Sequence, residues 1–144
     1  MLVDANILLY SVDEESPFHF RAKTWLEEAL NGPRRVGLPW QSLIAFVRIA
    51  TNPRAMREPM SAAHAWELVE GWLDAPTVWI PTPSVGHRAI LGRLVTGLDL
   101  RGNFVSDAAI AALCIEHGLT MVSADSDFAR FTELRWVNPV APGP

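Results

Sequence analysis

The chain has 144 residues, 49% of them hydrophobic and 19% charged, with a formal net charge of −4. It is long enough for one buried core and too apolar for disorder, and its acidic balance lacks the basic signature of many nucleic-acid binders without deciding against nucleic acid. No apolar run approaches the ~20 residues that span a bilayer, and the single cysteine, Cys114, excludes an internal disulfide and a cysteine-built zinc cage.

Met1 leads directly into an apolar run with no basic segment or small-residue cleavage site, so no signal peptide is expected and a cytosolic setting is. The basic residues are eleven arginines and one lysine, Lys23. Arginine is the better bidentate phosphate ligand, but a GC-rich coding sequence explains the bias equally well.

Leu2-Val3-Asp4-Ala5-Asn6 opens the chain as a strand with an aspartate near its end. Ile7, Leu8 and Leu9 follow, which sets Asp4 in hydrophobic chain rather than in a solvated loop. Ser16-Pro17 predicts the first helix start, carried by Ala22, Trp25, Leu26, Ala29 and Leu30 and stopped at Asn31-Gly32-Pro33. Val36 to Leu38 is a brief strand. The next helix runs from about Trp40 to Thr51; it is apolar on most sides and expected to be buried against the sheet and something else. Ser61 begins a further helix through Trp66, Val69 and Trp72, and Thr77 to Pro81 is a strand. Pro83-Ser84 introduces a helix through Ile90 and Leu94, and Gly97 to Asn103 is a loop. Ser106 or Asn103 caps a helix through Ile110 and Ile115, closed by His117-Gly118. Thr120 to Ser123 is a strand, Asp127 to Phe131 a helical turn and Arg135 to Val137 a last strand. The pattern is α/β, one domain over residues 1–138, with a largely parallel central sheet of about five short strands and helices on both faces. Residues 139–144 are expected to fray.

In a parallel sheet, sites form beyond the carboxyl ends of the strands. Asp4 and Asp125 fall at such ends, and Asp107 opens a helix. Three carboxylates meeting there repel one another, and a hard cation such as Mg²⁺ or Mn²⁺ is the simplest compensation. A site of this kind suits phosphodiester cleavage. Structural roles compete: Asp107 suits a helix start through the macrodipole, and Asp125 and Asp127 suit the cap of the turn at Phe128. Asp4 has the poorest structural explanation. Asn6 is either a donor to Asp4 or substrate, or an ordinary turn residue.

Taken in order, Val3-Asp4-Ala5-Asn6, Phe46 to Pro53, Gly102 to Ala108 and Ser123 to Phe128 resemble the PIN-domain family, and most closely the VapC-type ribonuclease toxins of prokaryotic toxin–antitoxin pairs. The resemblance covers nearly the whole chain. It implies a PIN-like fold, Mg²⁺- or Mn²⁺-dependent endonuclease activity on RNA, a homodimer and inhibition by a small antitoxin. Asp4, Asp107 and Asp125 take the family's metal positions, with Asp127 as an extra. One departure stands out: many members carry a glutamate where this chain has Ala45. Glu116, nine residues after Asp107 and half a turn around the helix, reads as an exposed charge and no substitute. Arg48 is expected either to face phosphate or to form a salt bridge within the fold.

Other chemistries fit less well. No glycines follow the first strand as a dinucleotide fold or P-loop requires. Asn6 stands where haloacid-dehalogenase-like phosphatases need a second aspartate, and Lys23 is misplaced for a phosphoacceptor receiver. His19, His64, His87 and His117 lack zinc spacing. The rival from another class is a PIN-like module that binds RNA or protein without cutting, a reading that Ala45 favours.

Overall fold

The computed structural model describes residues 1–143. Its middle strand is β1 (Leu2–Val3). β2 (Val36–Gly37) and β4 (Thr120–Val122) flank it, β3 (Val78–Trp79) and β5 (Arg135–Val137) form the edges, and every pairing is parallel. The order β3-β2-β1-β4-β5 reverses direction of growth at the β1/β4 seam, which is where ligand crevices form in open parallel sheets.

Side chains alternate across the strands, and the two faces carry separate cores. Val3, Val36 and Val122 pack against α1 (Ala5–Val12), α2 (His19–Asn31), α3 (Trp40–Ala50) and α4 (Ala62–Leu73) through Ile7, Leu8, Leu26, Phe46, Val69 and Trp72. Leu2 and Met121 pack on the other face against α5 (His87–Gly97), α6 (Asn103–Glu116), Phe128 and Phe131. Gly37 is needed where β2 passes Pro81: a Cβ there would come within 2.7 Å of the proline Cγ.

The helix α1 is absent from the sequence expectation. An Ile/Leu run reads as strand, yet Ala5, Ile7, Leu8 and Ser11 are the buried positions, a helical spacing. Asp4 is therefore not embedded in a strand; it is the N-cap of α1. Ser16-Pro17 does not open α2 directly, since a turn intervenes and the helix begins at His19. Neither Asn103 nor Ser106 caps α6, which starts behind Gly102 at φ +58° with no side-chain cap, so Asp107 lies in its second turn rather than opening it.

Helix α3 was expected to be covered on two sides. It buries Ser42, Leu43, Phe46 and Ala50, while Ile44 is 60% and Trp40 41% exposed; among the described residues the opposite face is covered only in part, by Trp66 stacked on Trp40. Part of the C-terminal segment expected to fray is packed. Val140 is buried, and Arg21 donates to its carbonyl at 3.1 Å. The last residue of that expected tail lies outside the described residues.

Candidate active site

The register sets the site. Val3 pairs with Val122, so the residues that follow, Asp4 and Ser123, emerge side by side at the carboxyl edge, with Asp4 N–H donating to Val122 O at 2.9 Å. Ser123 is fully buried. Its Oγ donates to Asp4 Oδ2 at 2.6 Å and accepts from Asn6 Nδ2 and from the Asp125 amide, each at 3.0 Å. One proton and two lone pairs are all a serine hydroxyl has. Each is used.

Asp4 is held from every side. Oδ1 accepts from the Ala5 amide at 2.8 Å, and Oδ2 accepts from Asn6 Nδ2 at 3.0 Å as well as from Ser123. Asn6 Oδ1 accepts from the Ala124 amide at 3.2 Å, so this side chain ties the start of α1 to the loop after β4. Asn6 thus donates to Asp4 rather than serving as an idle turn residue. Burial pushes the Asp4 carboxyl above its ordinary range, against the Ser123 and Ala5 hydrogen bonds, and the nearby Asp125 charge adds to the rise.

Asp125 caps the 3-10 turn Ser126–Arg130, accepting the Asp127 amide at 2.8 Å on Oδ1. Asp127 instead pairs with Arg130, whose Nη2 lies 3.1 Å from its Oδ1. Asp107 makes no hydrogen bond to the described protein atoms. Burial raises its carboxyl, and the charges of Asp125, Asp4 and Asp127 raise it further. Asp4, Asp107 and Asp125 therefore stand close enough to feel one another.

Among the described residues, no three or more acids, histidines or cysteines are gathered so as to hold a metal ion between them. The chemistry of the donors still suits a hard cation: the carboxylates repel, Asp107 has no hydrogen-bond or ion-pair partner among the described residues, and Mg²⁺ commonly keeps several waters and takes only one or two carboxylates.

Ala45 lines a cavity of about 590 Å³ together with Trp40, Ile44, Arg48 and, from α6, Ser106 and Ala109, which bracket Asp107 in sequence. The place of the missing glutamate is thus open space toward α6. Arg48 is exposed and forms no ion pair among the described residues, so the salt-bridge alternative is not realised. Glu116 is not an exposed charge. Its side chain is 3% exposed and accepts from the Ser84 hydroxyl, from the Ser84 amide at 3.0 Å and from His87 Nδ1 at 2.6 Å. Burial would raise its carboxyl, but these donors outweigh that and hold it below its ordinary value.

The PIN-domain family model matches residues 1–134, through both strands of the seam and all three acids. The chain belongs to the PIN-domain family. Ribonucleases of the VapC kind are among its relatives. It is 44% identical to ribonuclease VapC37 of Mycobacterium tuberculosis over 97% of each chain, and 36% identical to ribonuclease VapC33 of the same organism over 97% of this chain and 98% of that one. Among solved structures, VapBC-1 of nontypeable Haemophilus influenzae superposes with a TM-score of 0.71 at 15% identity, covering 97% of this chain and 98% of that chain, a likeness of fold. No described helix is long and apolar enough to cross a membrane.

Ser123 is the functional residue that sequence reasoning passed over. It sits two residues before Asp125 at a strand end, a signal that could have singled it out, but its partner Asp4 is 119 residues away.

Proposed function

We propose that this PIN-domain protein is a divalent-metal-dependent endoribonuclease and the toxin of a toxin–antitoxin pair. The observation that carries the reading is the seam itself: Asp4 and Asp125 follow adjacent strands, are bridged by Ser123, and share a field with Asp107. Relatives named ribonucleases, matched over nearly their full length, support it.

Asp4, Asp107 and Asp125 would hold Mg²⁺ or Mn²⁺. Held there, such an ion would supply an activated water and stabilisation of the leaving oxygen for phosphodiester hydrolysis. The chain's own part is orientation. Ser123 and Asn6 fix the Asp4 carboxylate in one rotamer, and Asp125 is fixed by capping its own turn. Asp107 keeps both oxygens free of protein donors. A homodimer and a cognate antitoxin complete the reading, supported by the partly covered α3 face and by the VapBC neighbours.

The test is cleavage of a mixed RNA pool by purified protein with Mn²⁺, beside Asp107→Asn. Metal-dependent cleavage lost in the variant is expected; equal cleavage by both would sink the assignment. Ala45 and its open cavity favour a second reading, a PIN-like module that binds RNA or protein without cutting. Binding of the pool without any cleavage would select it.

A further inference from the structure

The acid cluster poses a difficulty that the three aspartates do not resolve by themselves. A phosphodiester must approach several carboxylates, and an anion brought to such a place needs cationic donors of its own. Among the described residues, Arg130 is the cation whose field reaches the Asp107 carboxyl. It does not neutralise the cluster directly. Its Nε donates to Asp127 O at 3.0 Å and its Nη2 to Asp127 Oδ1 at 3.1 Å, while the guanidinium carbon lies 3.7 Å over the ring of Phe104.

That arrangement is unlike the other arginine pairs. The Arg130 side chain is 30% exposed, against 54% for Arg93, 82% for Arg57 and 83% for Arg101. Phe104 sits one turn before Asp107 on α6, and Arg130 ends the turn that Asp125 caps. Both supports therefore belong to the elements that carry the acids. Nη1 makes no hydrogen bond to the described protein atoms, which leaves a planar donor edge available.

We propose that Arg130 is a phosphate-binding residue beside the acid cluster, with Asp127 and Phe104 as its positioning residues. The inference rests on the ribonuclease reading for its ligand, the phosphate backbone of single-stranded RNA. It assigns Asp127 to holding a guanidinium rather than a metal. Fixing the planar group before the substrate arrives reduces the ordering cost at binding. Lysine could carry the charge but neither the paired donors nor the stacking.

The probe is a short fluorescein-labelled oligouridine, titrated in EDTA at several salt concentrations and followed by anisotropy. Removing one phosphate contact to a single strand should lower the salt slope by about 0.7, so Arg130→Gln is expected to show that drop and a several-fold weaker affinity. Arg130→Lys should keep most of the slope while cleavage remains reduced. Asp127→Asn and Phe104→Leu should weaken oligouridine in the same direction. Mn²⁺ affinity, measured by calorimetry, should stay unchanged in Arg130→Gln and Asp127→Asn and fall in Asp107→Asn. Wild-type affinity and salt slope in a folded Arg130→Gln protein overturn the proposal. Loss of Mn²⁺ binding in Asp127→Asn overturns the assignment of Asp127. Should Arg130→Gln not fold, Asp127→Asn and Phe104→Leu decide: wild-type oligouridine affinity in both overturns the proposal. Absence of any RNA cleavage by wild type would defeat the ribonuclease reading alone, since the anisotropy comparison still decides Arg130.

Discussion

The hydroxyl of Ser123 joins Asp4 across the β1/β4 seam at 2.6 Å, and this pair binds the two halves of the acid cluster into one unit. Ser123→Ala leaves the Asp4 carboxylate, Asn6 Nδ2 and the Asp125 amide each short of a partner. Leaving buried polar groups unpaired costs about 1–3 kcal/mol. A drop of that size in urea unfolding is expected, together with reduced cleavage. Unchanged stability and activity would show that the bridge is incidental.

Neutralising the acids should separate Asp4 from Asp107. Both carboxyls are raised above 3.8 in the fold, so the folded chain holds their protons more tightly than the unfolded one. Their contribution favours the fold below that value and is lost as pH rises through the folded pKa. Near neutrality each ionised acid therefore costs metal-free stability. Asp107 has no hydrogen-bond partner, and Asp107→Asn should gain a few tenths to about 1 kcal/mol after screening by solvent. Asp4 is surrounded by donors, so Asp4→Asn sets an amide NH₂ against them and should lose about 1–3 kcal/mol. Urea titrations in EDTA read both. Equal responses would contradict the hydrogen-bond assignment at Asp4.

Glu116 has the opposite sign. Its carboxyl is held below 4.5, so its contribution is present above that value and disappears as pH falls through the lower folded pKa. Glu116→Gln should lower the melting temperature near neutrality, by about 1 kcal/mol in stability, and should flatten the acid-side decline. Parallel melting curves for variant and wild type at every pH would disprove it.

The partly covered apolar face of α3, with Trp40 stacked on Trp66 at 6.5 Å between ring centroids, leads to an expected metal-independent dimer. Sedimentation at micromolar concentration should show twice the 15.9 kDa chain mass. A single species at the chain mass refutes the assembly.

Carboxylates that attract a divalent ion also attract a guanidinium. An antitoxin segment is expected to offer a basic side chain to Asp4, Asp107 or Asp125. With Ala45 making the pocket less negative, apolar contacts should carry more of the affinity. The complex should then weaken little with salt and several-fold on Asp107→Asn. Affinity untouched by that variant would mean that the antitoxin covers the RNA path without entering the acid cluster.

The alternation of short strands and helices is legible from the helical spacing of the longer apolar runs and the turn residues between them, since strands of two or three residues are too short to carry a period of their own. Arg135 to Val137 agrees with β5 to the residue. The miss at α1 is the exception that explains itself: Ile7-Leu8-Leu9 is too short a run for either period to win, and the deciding term is the cap that Asp4 supplies to Ala5. Glu116 was misplaced because helical angle alone ignores what packs above the helix. Ser84 and His87 arrive from α5 and the loop before it, and no spacing within α6 announces them. Phe104 and Arg130 are likewise 26 positions apart, and only the packing of the 3-10 turn on α6 brings them together.

The placement of β1 at the centre of the sheet has a consequence for biosynthesis. The strand is made well before one of its two neighbours, β4, and the residues that face Asp4 follow β4. A chain still growing on the ribosome and lacking residues 120–125 has Asp4 without Ser123 and Asp107 without Asp125. Contacts of such long range close late. On the proposed reading, the three acids can therefore meet only after residues 120–125 have been made.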